Sequence, residues 1–174
     1  MPRLRILADM KNLFQLIAAI GIVSLFGCPY SSEVPLSEPE MKIDETLLGK
    51  YQSVEDQAIE SRSYLEIKQE TDNSYKVLDS NYSASDSTFS TANYIAFETK
   101  VKGVSFFNLM EEGRPPYMLY RLDRISSGSF RLTEVTDNID EKFDSSEQLR
   151  AFIGKHKDLS FLYSKEETVY RRMD

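Results

Sequence analysis

The sequence predicts a mainly β chain, an antiparallel meander or open barrel with one amphipathic helix placed before the last strand. Three observations carry that expectation. Apolar and polar residues alternate with the strand period in runs such as Tyr64-Leu65-Glu66-Ile67-Lys68 and Tyr75-Lys76-Val77-Leu78. Short turn signals part such runs: Thr71-Asp72-Asn73-Ser74, Lys102-Gly103 and Ser126-Ser127-Gly128-Ser129. Helical spacing over several turns occurs late, at Leu149, Phe152 and Ile153. With 41% hydrophobic and 11% aromatic residues among 174, there is apolar material for one packed domain, which argues against a disordered chain.

The first segment has the layout of a secretory signal peptide. Arg3, Arg5 and Lys11 precede an apolar stretch from Leu13 to Phe26, and the small Gly27 follows. These 14 apolar-region residues fall short of the ~20 needed to span a bilayer, so residues 1–27 are expected to be cleaved. Leu25-Phe26-Gly27-Cys28 resembles the lipobox of bacterial lipoproteins, with Phe26 bulkier than is usual at its place. The resemblance implies a diacylglycerol, palmitate-type anchor on Cys28 and a further acyl chain on its freed amine, and two or more chains anchor stably. It places the protein in the bacterial cell envelope. Pro29 stands where an Asp would favour retention at the inner membrane, so the outer membrane is favoured. Loss of residues 1–27 takes the formal charge from −7 to −9. The lipid, rather than a basic face, would then hold the domain at the membrane.

Residues 28–45 read as the lipidated Cys and a flexible tether, because PYSSEVPLSEPEMKI has three prolines and no sustained periodicity. Such a segment is expected to make few core contacts and to hold the domain tens of ångströms off the bilayer, at ~3.3 Å per residue. A single β-rich domain spans residues 46–174, opening at Leu47-Leu48-Gly49-Lys50-Tyr51. The Ser- and Thr-rich stretch from Asp79 to Thr91 reads as a long polar loop. Strands are predicted at Tyr94 to Val101, Val104 to Met110 and Tyr117 to Ile125, with the Pro115-Pro116 pair breaking the ladder before the last of these. Both faces of Tyr117-Met118-Leu119-Tyr120-Arg121-Leu122 are apolar at one end, which predicts a central strand. Phe130 to Val135 is the next strand, and Thr136 to Phe143 can form a short helical turn. Asp144-Ser145-Ser146-Glu147-Gln148 supplies an N-cap and a capping-box partner for the helix, which ends near Lys157 and covers the barrel mouth or sheet. Glu167 to Arg171 closes the chain as a strand pairing near the first.

The chemistry that residue counts permit is narrow. One His and one Cys exclude multi-ligand His/Cys zinc sites, CxxC redox pairs, iron–sulfur clusters and intrachain disulfides, and no metal or cofactor is expected. With 28 acidic against 21 basic side chains and no basic run, nucleic acid is not an expected partner. Neither GxSxG, GxGxxG nor a phosphate-loop motif occurs, so no catalytic residue is assigned. His156, flanked by Lys155 and Lys157, reads as a solvated helix residue. The pairs Glu55-Asp56, Glu111-Glu112 and Asp140-Glu141 read as solvated loops, although two carboxylates flanking a cleft would support a hydrolase.

Among the aromatic residues on predicted strands, seven are candidates for the interior: Tyr94, Phe97, Phe106, Phe107, Tyr117, Tyr120 and Phe130. Either they fill the interior of a small barrel, or they line a cavity for a small apolar ligand. Leu47-Leu48-Gly49-Lys50-Tyr51 resembles the opening of lipocalin-like β domains, where a Gly followed by an aromatic starts the first strand. From Leu47 to Met173 the chain resembles a family of uncharacterised bacterial lipoproteins, through Tyr120 to Ile125, Gln148 to Ile153 and the terminal Tyr170-Arg171. The resemblance implies an antiparallel β fold and no assigned activity. The expected function is a membrane-anchored, non-enzymatic binding or interaction module whose partner is unknown. A lipocalin-like carrier of a small apolar ligand and a carboxylate-dependent hydrolase are the alternatives.

Overall fold

Hairpins follow one another through much of the described chain. A computed structural model describes residues 30–58, 61–136 and 138–173. Its strands are β1 (Ser31–Ser32), β2 (Gly49–Ser53), β3 (Tyr64–Thr71), β4 (Ser74–Ser83), β5 (Thr88–Val101), β6 (Val104–Glu111), β7 (Tyr117–Ser126), β8 (Ser129–Val135) and β9 (Tyr163–Arg172). The described residues also form the helices α1 (Val54–Ala58) and α2 (Ser146–His156). Strands β2 to β9 pair antiparallel in sequence order, and β9 then pairs with β2, so the meander closes into an eight-stranded lipocalin-like barrel. The expected β meander is therefore present, and β9 pairs with the first barrel strand, as the sequence predicts. The turn at Lys102-Gly103 has φ of 46° and 85°, the left-handed pair that matches strand twist in a two-residue hairpin.

Strand parity separates two cores. Tyr51, Leu65, Ile67, Tyr75, Val77, Ala96, Phe107, Leu122 and Phe130 are buried together inside the barrel, joined by half-buried Tyr170 from β9. The opposite faces of β5, β6, β7 and β8 supply Val101, Phe106, Leu119 and Val135 to a second core outside the wall. Helix α2 covers it with Leu149 and Ile153. Burying a side chain of that size contributes about 1.5–3 kcal/mol, which fixes the helix on the wall rather than over the mouth. This explains the two apolar faces of β7: Tyr120 and Leu122 point inward while Leu119 joins the outer core. The N-cap of α2 is Ser145, whose Oγ accepts from the Gln148 N–H at 3.3 Å, and Gln148 Oε1 accepts from the Asp144 N–H at 3.2 Å. The reciprocal capping bond thus reaches one residue before the cap.

Three expectations are corrected. Asp79 to Thr91 is not a long loop: β4 and β5 pair from Tyr75↔Ala96 out to Ser83↔Thr88, leaving residues 84–87 as the turn. The polar side chains are compatible with the ladder because this hairpin's outer part faces solvent, where strands carry Ser and Thr freely. Residues 138–143 are irregular rather than helical, and Ile139 is held by the outer core instead of by a helix.

The third correction concerns the tether. Residues 30–43 lie along the outside of the barrel. Ser31 and Ser32 pair with Met118 and Tyr117 on the part of β7 that extends past β8. The Leu36 N–H donates to Asn108 Oδ1 at 2.7 Å, and Ser37 Oγ is 2.8 Å from Thr99 Oγ1. Leu36 is fully buried in the outer core. Further on, the Ile43 N–H donates to the Asp72 carbonyl at the far end of the barrel. Cys28 and Pro29 lie outside the described residues.

Candidate functional site

The interior of an eight-stranded barrel is just wide enough to be filled by side chains or to hold one small ligand. In this barrel one end is filled. After residues 30–43 have run down the wall, a 3₁₀ turn (Glu45–Leu47) crosses beneath the strands and inserts Leu47 into the interior cluster, with Ile43 and Leu48 packed beside it. Asp44 caps the turn, its Oδ1 accepting from the Thr46 N–H at 3.0 Å. The Gly49 that follows has φ of +145°, and a Cβ there would stand 3.5 Å from Arg172 Nε, so the chain enters β2 where a side chain would be strained. Arg172 lies over the Tyr51 ring, 5.5 Å from its centroid, and donates to Tyr51 Oη at 3.0 Å. Glycine, aromatic and arginine seal the end together.

One carboxylate is buried at the same end, held by an arginine that stays partly exposed. Glu98 on β5 is 4% exposed and accepts two bonds from Arg124 on β7, at 2.7 and 3.3 Å. Arg124 Nε also donates to Asp44 Oδ2 at 2.8 Å, which ties the 3₁₀ turn to the barrel. Tyr75 Oη accepts from the Asp44 N–H at 2.6 Å. Burial, with Glu98 and Asp44 nearby, pushes the Tyr75 hydroxyl up to about 12.

The other end is open. Here the inward rows leave a cavity of about 220 Å³, with Leu65, Ile67, Val77, Phe107, Leu109, Met118 and Leu132 as its apolar wall. Tyr94, Tyr120, Tyr170, Asp79, Glu134, Glu166, Ser164 and Thr168 complete the lining, and cross-strand pairs such as Leu65↔Asp79, Phe107↔Tyr120 and Leu132↔Thr168 set apolar and polar side chains side by side on the wall. Tyr51, Tyr75 and Phe130 at the sealed end are almost wholly buried, whereas Tyr94, Tyr120 and Tyr170 are half-buried, as expected where solvent enters. Burial raises the Asp79 carboxyl above its ordinary value, with Asp56 adding to the rise and Asn81 opposing it. The Tyr170 hydroxyl is pushed up to about 12, first by burial and then by Asp79, Asp56 and Glu55. Tyr120 is raised further, by burial and by Glu134.

Of the seven candidate aromatics, Tyr94, Phe107 and Tyr120 line this cavity. Phe130 points inward but belongs to the filled end, where it packs edge-on against Tyr51 at 4.9 Å. Phe106 faces the outer core, and Phe97 packs against Tyr117 outside the wall at 6.2 Å. Phe97, Phe106 and Tyr117 thus neither fill nor line the interior, because strand parity puts neighbours such as Phe106 and Phe107 on opposite faces. Replacing Tyr120 with Ala should therefore cost about 1–2 kcal/mol in a urea melt, below the ~3–5 kcal/mol of a fully packed aromatic, because part of its surface already faces the cavity.

His156 is not a freely solvated residue. It packs 4.5 Å from the Phe152 ring and 5.7 Å from Phe161, and its Nδ1 is buried with no hydrogen-bond partner among the described residues. Glu55 and Asp56 lie on α1 beside the open end, where Ser53 Oγ donates to Asp56 Oδ2 at 2.8 Å. Glu111 and Glu112 lie at the β6–β7 turn, and Asp140 and Glu141 are exposed on the irregular segment. The residues missed by sequence reading are Asp79, Glu134, Glu166 and Tyr170. Their signal is an acidic or polar residue at the inward parity of a strand otherwise apolar on that face, as in Val77 to Asp79 and Leu132 to Glu134.

No helix among the described residues is long and apolar enough to cross a membrane. No family model matches the chain, and neither a curated protein nor a solved structure matches it significantly.

Proposed function

We propose that this chain is a bacterial envelope lipoprotein, anchored through Cys28, whose barrel binds a small ligand without chemistry. The observation supporting the carrier reading is the asymmetry of the interior: one end sealed by the 3₁₀ turn and Arg172, the other left as a cavity of about 220 Å³ with a mouth. An engineered apolar cavity of about 150 Å³ takes a benzene, so this one accommodates roughly one ring and a short arm. The hydrolase alternative is less well supported, because a glycosidase must hold a sugar on each side of the scissile bond.

The N-terminus adds a geometric consequence. Ser31 and Ser32 are paired to the first residues of β7, at the open end. Cys28 precedes Ser31 by three residues, a reach of about 10 Å at full extension. A lipid there would hold the mouth close to the membrane rather than on a long tether. Native mass spectrometry of protein taken from its own membranes should show acylated Cys28 and one small molecule per chain. Acylated protein that never carries a ligand, and takes up none when small aromatic compounds are offered, would remove the carrier reading. Cys28→Ser protein should leave the membrane fraction or accumulate unprocessed, and its full processing and retention there would remove the anchor.

A further inference from the structure

We infer that the cavity takes a small organic cation, an ammonium group on an apolar, preferably aromatic body; this rests on the carrier reading. The lining combines a wall of apolar side chains with three carboxylates, Asp79, Glu134 and Glu166, and three tyrosines. Among the described residues no Lys, Arg or His lines it. Arg124, on Glu98 and Asp44, and Arg172, on Tyr51, lie at the sealed end instead. An anionic ligand such as a fatty acid would bring its carboxylate against three others.

A cation meets the opposite situation. Asp79 is half-buried, holds a bond from Asn81 Nδ2 at 3.1 Å, and has no cationic partner among the described residues. Withdrawing a carboxylate from water without a counter-charge is costly, and a bound ammonium would offset that cost. Glu55 and Asp56 lie beside Glu166 at the adjoining surface, so the negative field extends outward from the mouth and would draw cations in. Tyrosine rings attract a cation through their faces, and their bodies accept the apolar part of the same molecule. A metal ion fits less well. Among the described residues no three His, Cys, Asp or Glu side chains stand together as metal ligands, so the carboxylates are spread around a wall instead of converging on a point.

The test uses three probes of nearly equal shape: 2-phenylethylamine, its neutral counterpart 2-phenylethanol, and the anion 3-phenylpropionate. Each is titrated into the full chain at neutral pH and followed by amide chemical shifts in NMR. The amine should bind with a Kd of about 1 mM or better, reasonable for a ligand of its size. The alcohol should bind about 10-fold more weakly, and the anion not measurably. Asp79→Asn should weaken the amine by about 10-fold and leave the alcohol within about 2-fold, a pattern that loss of fold would not produce. Its melting temperature should not fall, since an uncompensated charge has been removed. Equal binding of amine and alcohol, or tight binding of the anion, would overturn the cation inference while the carrier reading stood. Binding of none of the three up to about 20 mM, far above the expected Kd, would overturn both. Shifts produced equally by calcium chloride, and abolished for the amine by calcium, would replace the organic cation with a metal.

Discussion

Replacing Arg124 with Met should lower the folding free energy by about 3 kcal/mol, read as the shift of a urea melting midpoint at unchanged slope. The side chain is one-third exposed, but its partner Glu98 is almost fully buried and accepts two side-chain bonds from Arg124. Removing the guanidinium leaves that carboxylate inside the barrel without its cation, and the loss reflects this stranded charge more than the Coulombic strength of the pair. The double replacement Arg124→Met with Glu98→Gln should therefore recover more than half of the loss. A double variant no more stable than the single one would show that Arg124 acts through packing alone.

The same arginine also holds Asp44, and this gives a pH dependence with a definite sign. Burial by itself would raise the Asp44 carboxyl, but bonds from Thr46 and Arg124 outweigh it and hold it below its ordinary value. A lowered folded-state pKa contributes stability that is complete above the unfolded value of about 3.9 and is lost as pH falls through the lower, folded value. The sealed end should thus loosen in acid below about pH 4. The 3₁₀ turn should be the element released first, because the Asp44 carboxylate ties it to Arg124, whereas the bond to Tyr75 Oη comes from the Asp44 backbone N–H and does not titrate.

Much of the barrel is legible in the sequence because its strands are bounded by turn residues and alternate cleanly, as at Tyr94 to Val101 and Val104 to Met110. Pattern alone does not say which face is inside. Phe106 and Phe107 both look like core residues, and both are, but in different cores separated by the sheet. The cavity was unreadable for a related reason. Asp79 sits in a run of Ser, Asn and Asp that resembles a loop, and only its pairing with Ala92 shows that it continues the inward row of Tyr75 and Val77. Once parity is known, acids from β4, β8 and β9 fall at the same end of the barrel. That coincidence arises from register between strands far apart in sequence, which local spacing does not encode.

The N-terminal segment shows a different limit, and it carries the largest expected effect. A chain beginning at Asp44 should be less stable than one beginning at Pro29 by at least about 5 kcal/mol, as measured by urea unfolding, and this is the scale of the whole stability of many domains. Proline and glutamate make residues 29–43 look like a tether, yet prolines also occur where a strap lies on a surface without forming a ladder. The described part of the segment puts fully buried Leu36 in the same outer core as Phe106, Leu119 and the helix residues Leu149 and Ile153, and Leu36→Ala alone should cost about 2–5 kcal/mol. Deletion would also strip Asn108 Oδ1 of its bond from the Leu36 N–H and uncover the β7 edge that Ser31 and Ser32 now pair. A buried acceptor left unpaired adds about 1–3 kcal/mol, so the sum exceeds any single contact in the segment. Equal stability of the two chains would mean that the strap lies passively on a core complete without it. The point variant keeps the test readable if the shortened chain does not fold: Leu36→Ala should still fold, with a midpoint shifted in proportion, whereas an unchanged midpoint would show that the outer core closes over the site by itself.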